Sequence, residues 1–97
     1  MQTYVLFTKL SPEIKVRDRA RTGRAWLEQV KNKCPEVSFV AHYALLGEHD
    51  FMDIYEAPDE ETAAKVSLLS RAHGAHQVES WPAIPNARLK ELAEGIV

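Results

Sequence analysis

The run Val37-Ser-Phe-Val-Ala-His-Tyr-Ala-Leu-Leu-Gly-Glu-His-Asp-Phe-Met-Asp-Ile-Tyr-Glu56 decides the fold. Two β-prone stretches, Val37 to Leu46 and Phe51 to Glu56, flank Gly47-Glu48-His49-Asp50, and a short Gly-containing link between such stretches makes a β-hairpin. A two-residue loop at Glu48-His49 or a four-residue loop over 47–50 gives one pairing, in which opposite positions sum to 97. Leu46 then faces Phe51, Ala44 faces Asp53 and His42 faces Tyr55. Opposite residues share a sheet face. One face carries Val40, His42, Ala44, Phe51, Asp53 and Tyr55, and the other Ala41, Tyr43, Leu45, Met52 and Ile54. The second set is apolar apart from one phenol, which predicts that it lies under helices and that the first set is bare.

On the N-terminal side, Thr3 to Lys9 is rich in β-branched and aromatic residues and stops at Ser11-Pro12, the pattern of a strand. From Ile14 to Cys34 the period becomes helical, with Val16, Ala20, Gly23, Leu27, Val30 and Cys34 on one stripe. Gly23 in that stripe predicts a close approach of helix to sheet. On the C-terminal side, Pro58-Asp59-Glu60-Glu61 has the proline and acids of a helix start, and this second helix runs to about His73 and stops at Gly74. Gln77 to Trp81 reads as a fourth strand before Pro82 and Pro85, and Asn86 to Glu94 as a short last helix. The order βαββαβ is that of the α+β, ferredoxin-like unit: a four-stranded antiparallel sheet with both helices on one face. An apolar bare face is uncommon on a small monomer, so the expected assembly is a homodimer joined through the sheets.

Ninety-seven residues, 45% hydrophobic and 27% charged, are the size and composition of one globular domain, expected to span 1–97. The net charge of −2 is too balanced for a nucleic-acid-binding surface. It conceals an asymmetry, because residues 1–33 carry eight bases against three acids and the remainder four against eleven. Arg17, Arg21 and Arg24 belong to one solvated helical face, and the acids around Asp59, Glu60 and Glu61 are its natural complement between subunits. The single cysteine, Cys34, falls in the apolar stripe and forms no disulfide framework. No apolar run is long enough for a span or a signal peptide, so a cytoplasmic protein without membrane or nucleic-acid partners is expected.

Leu45-Leu46-Gly47-Glu48-His49-Asp50-Phe51, the stretch Tyr55 to Ala64 and the opening Thr3-Tyr4-Val5-Leu6 together resemble the GYD-domain family, small bacterial and archaeal proteins named after a Gly-Tyr-Asp signature. Gly47 and Asp50 match that signature, and His49 stands in place of its tyrosine. The resemblance implies the dimeric α+β barrel fold and no particular activity. The hairpin also resembles the ligand-sensing domain of the leucine-responsive transcription regulators, where it helps shape an effector site. By that likeness Gly47, His49, Asp50 and Phe51 are candidate ligand-binding residues; Trp81, on the fourth strand before Pro82, is a further candidate as either sheet core or cavity wall. Turn architecture is the alternative: Gly47 would allow a positive φ, and Asp50 would accept backbone N–H groups.

His42, Asp53 and Tyr55 are the candidate catalytic group. An imidazole oriented by a carboxylate has the parts of a general base near neutral pH, and a neighbouring phenol could donate to an oxyanion. Mutual satisfaction of buried polar groups is the simpler role for the same residues. His73 and His76 form His-x-x-His, with Glu79 three positions on, but Gly74 breaks the helix between the rings. Haem-degrading relatives of the barrel fold carry an axial histidine near this place; no metal or cofactor is expected here. Nucleotide-binding, hydrolase-elbow and paired-cysteine motifs are absent. Three functions stay open: a homodimeric small-molecule-binding or accessory module with a pocket on the sheet face, a cofactor-free enzyme using His42 and Asp53 for proton transfer, isomerisation or oxygenation, and a purely structural or interaction protein.

Overall fold

A computed structural model describes residues 1–97. The chain forms β1 (Gln2–Leu10), a 3-10 turn (Val16–Asp18), α1 (Arg19–Lys33), β2 (Ser38–Ala44), β3 (Phe51–Ala57), α2 (Glu60–Ala72), β4 (Ala75–Ala83) and α3 (Asn86–Gly95). The strands make one antiparallel sheet in the order β2-β3-β1-β4. This is the ferredoxin-like βαββαβ arrangement with an added helix. β4 is an edge strand, which lets it continue through Pro82, beyond the expected stop at Trp81, because the missing N–H removes no second ladder.

The hairpin register differs from the expected one by two. Ala44 pairs with Phe51 and His42 with Asp53, and the ladder closes where Leu45 N–H donates to Asp50 C=O at 2.9 Å, leaving 46–49 as the loop. Asp50 sets this position from outside the hairpin. Its N–H donates to Thr8 C=O at 2.8 Å and its carboxylate accepts Leu10 N–H at 2.8 Å, so β1 fixes where β3 begins. A bulge at Val40 then breaks the alternation: Phe39 opposes Tyr55, and both Phe39 and His42 face the same way, their rings 4.9 Å apart.

The faces are exchanged relative to the expectation. Tyr55, Asp53 and Ala57 lie under the helices with Tyr4, Leu6 and Leu10 of β1, while Met52, Ile54, Ala41 and Tyr43 are on the open side beside Val5, Phe7 and Trp81. Both sets are apolar enough to be a core, and the choice falls to the set that continues β1's own buried positions. Leu6, Tyr55, Val30, Val66 and Cys34 are the fully buried centre, and burial pushes the Cys34 thiol up.

The two covering helices sit differently. α2 starts at Asp59, whose side chain accepts Thr62 N–H at 2.8 Å, and buries Thr62, Ala63, Val66 and Ser70. These small side chains bring its backbone close to β4, β1 and β3. The α1 backbone stays more than 8 Å from every strand, Cα to Cα. Trp26 fills the gap, donating its indole N–H to Val66 C=O at 3.3 Å and meeting Phe39 edge to face. Gly23 therefore makes no close helix-to-sheet contact; nothing lies within 4 Å of where its Cβ would be. Val16 falls outside the helix and is 84% exposed. The glycine that needs its conformation is Gly74, at φ +95°, where a Cβ would collide with Ile14, and Gly47 has no positive φ. α3 approaches no other element, and all of its residues are exposed.

Candidate functional site

Where α1 stands off the sheet, it leaves a cavity of about 280 Å³. Its sheet wall includes His42, Phe51 and Asp53, and its helix wall Arg19, Gly23 and Trp26, with His73 closing one end from the α2 terminus. Gly23 widens it by lacking a side chain. The volume is at the small end of ligand pockets, which run about 300–1,000 Å³.

The sheet wall carries the best-defined polar pair. His42 Nδ1 lies 2.5 Å from Asp53 Oδ1, and the imidazole is 45% exposed while the carboxylate is buried. Burial pushes the Asp53 carboxyl up, against the opposing pull of the bond to His42. With Nδ1–H donated to Asp53, Nε2 is left to accept a proton, the orientation a general base requires. The helix wall carries the positive charge. Arg19 Nη1 donates to Asp50 at 2.7 Å, its Nε is buried without an acceptor, and Arg24 forms no ion pair. This donation to Asp50, ahead of the bond from Leu10, holds that carboxyl below its ordinary value.

The eight residues expected at a site separate into four places. His42, Asp53 and Phe51 share the cavity. Tyr55 does not join them: its hydroxyl bonds Ser80 Oγ at 2.8 Å, its ring stacks on Tyr4, and burial pushes its pKa up, so the phenol is a core group unable to reach a molecule held by His42. Asp50 clamps the hairpin to β1 and α1, and Gly47 is exposed at the loop tip. His49 and Trp81 lie on the opposite side of the sheet. His49 packs on Phe7 and reaches Glu79 at 3.7 Å, and Trp81, 58% exposed, meets Phe7 edge to face. The α1 contribution escaped the sequence reading, although a glycine within an otherwise apolar covered stripe is the signal that marks a vacancy there. His73 lines the cavity and His76 faces outward. No three His, Cys, Asp or Glu side chains are grouped to hold a metal ion, and no helix is long and apolar enough to cross a membrane.

Residues 4–93 match the GYD domain. The chain belongs to the GYD-domain family. Over 53 residues this GYD domain is 40% identical to the glutamine synthetase and cystathionine beta-lyase binding protein of Thermus thermophilus. That match covers 55% of this chain and 56% of the other, so the chain spans about half the length of the curated relative it matches. Among solved structures, it is similar to a crystal structure of a Thermus thermophilus protein, with a TM-score of 0.61 at 18% identity over 88% of this chain and 95% of that one. A dimeric ferredoxin-like protein of unknown function from Thermobifida fusca gives a TM-score of 0.55 at 12% identity, over 86% and 89% of the two chains. The 30S ribosomal protein S6 of Thermotoga maritima gives 0.58 at 10%, over 96% and 97%. At these identities the likeness is one of fold alone.

Proposed function

We propose that this GYD domain is a homodimeric accessory module that docks on other proteins and reads a small molecule in the cavity beneath α1. The open sheet face carries the reading. Val5, Phe7, Met52 and Ile54 are only half buried, Tyr43 and Trp81 are more than half exposed, and together they make a continuous apolar and aromatic surface of the kind that marks an interaction site. The similar Thermus thermophilus protein that binds glutamine synthetase and cystathionine beta-lyase, as its name states, supports a role exerted on enzymes.

Sedimentation tests the dimer: a dimer at micromolar concentration is expected, converted to monomer by Phe7→Glu, and a monomeric native chain would remove the sheet face as the self-association surface. Calorimetric titration against the glutamine synthetase and the cystathionine beta-lyase of the same cell tests the docking, and absence of heat with both would refute the role suggested by the relative.

A second reading is favoured by the 2.5 Å contact of His42 with Asp53, namely a cofactor-free enzyme in which His42 takes a proton and Asp53 orients it. For an identified substrate, His42→Gln should abolish turnover with affinity retained; unchanged turnover excludes the base.

A further inference from the structure

The cavity beneath α1 has a polarity that restricts what it can hold. Its helix wall offers cationic donors, and Trp26 and Leu27 of that wall together with Phe51 of the sheet wall give it an apolar and aromatic part. Arg24, an exposed residue lining the cavity, forms no ion pair with any carboxylate, and Arg19 adds a second positive charge beside it. Thr8 and Ser70, both buried, bring hydroxyl groups to the same space. The acid present, Asp53, is tied to His42.

We propose that this cavity binds a small organic carboxylate, its anionic end held by Arg24 and Arg19 and its apolar body lying between Gly23, Trp26 and Phe51. The assignment rests on the accessory-module reading above and supplies the class of molecule that the module reads. A guanidinium presents paired donors matched to a carboxylate. The small volume and the aromatic part of the lining call for an apolar body of a few carbons. Inorganic phosphate fits less well, because it has no apolar part and its second negative charge would face the buried Asp53 carboxyl, which burial already disfavours as an anion.

Gly23 provides the control. Nothing lies within 4 Å of its missing Cβ, so a side chain added at 23 has room to start into the cavity, and Gly23→Leu also exchanges a poor helix former for a good one. The thermal midpoint of this variant reports whether the fold is kept while the site is blocked. The experiment is titration of the 15N-labelled protein with benzoate, isovalerate, benzamide and inorganic phosphate, following the Trp26 indole and Gly23 amide signals. Benzoate or isovalerate should shift both signals saturably, benzamide should bind about tenfold more weakly, and Arg24→Gln should lower carboxylate affinity by about the same factor. Gly23→Leu should abolish the shifts while its thermal midpoint is unchanged or raised. Equal binding of benzamide and benzoate, binding of phosphate as tight as that of the carboxylates, persistence of the shifts in Gly23→Leu, or no shift with either carboxylate each overturns the assignment. The titration needs no protein partner, so failure of docking on enzymes and failure of this site are separate results.

Discussion

α1 and α2 cover the same sheet and are built to opposite ends. α2 has a side-chain cap, presents Ala63, Thr62 and Ser70 to the strands and sits close to them. α1 has no side-chain cap, carries glycine at the matching depth and is propped away by one tryptophan. The pairing of a flush helix with a raised one shows how a small domain can stay folded and still enclose a space: one side supplies tight packing, the other is held off by a single large spacer.

The comparison breaks most severely at that spacer. Trp26→Ala removes the large side chain that bridges α1 and β2, and the loss should be about 3–5 kcal/mol in chemical unfolding. A loss under about 1 kcal/mol would mean that α1 is held by something else. Next comes the same small-to-Leu change at two helices. Ala63→Leu overpacks a flush contact and should cost about 1–3 kcal/mol, whereas Gly23→Leu should cost nothing. Equal costs would erase the distinction between the helices.

A smaller effect is expected at the clamp that seats the start of α1. Hydrogen bonds to charged groups contribute about 1.5–3 kcal/mol, and partial exposure of Arg19 and Asp50 reduces this to about 1 kcal/mol for Asp50→Asn. Because the Asp50 carboxyl is held below the ordinary value of 3.8, its stabilisation is complete above that pH and fades as the pH falls below it. Urea unfolding across this range should show a steeper decline for the native chain than for Asp50→Asn, and parallel curves would remove Asp50 from the account. The smallest change is a gain. Gly23→Ala should raise stability by about 0.5–1 kcal/mol, and a lower melting temperature would show that α1 comes nearer the sheet than its Cα positions imply.

The element order was legible because its signals are local: Ser11-Pro12, Pro35, Pro58-Asp59 and Gly74 delimit segments whose period changes between them. Family membership was legible for the same reason, in the hairpin and the start of α2. The covered face was not, because Tyr43, Met52 and Ile54 are as apolar as the set that is buried, and the choice is made by β1 across the ladder. The hairpin register was displaced by a contact between Asp50 and β1, forty residues apart in sequence. His42 and Asp53 were placed near each other by a register that was itself displaced, and meet directly through the true one, while the bulge at Val40 sets Phe39 rather than His42 against Tyr55. The cavity depends on the height of a helix above a sheet, a quantity to which hydrophobic periodicity is blind.

α3 has a kinetic meaning. Ten residues open to water on every side fall below the roughly 12–15 at which a lone helix holds its form, and its Leu89 and Leu92, with Ile96 just past its end, are all exposed. Such a helix is the part of the chain expected to open first and most often, and its amide protons should exchange with solvent well ahead of those of the sheet.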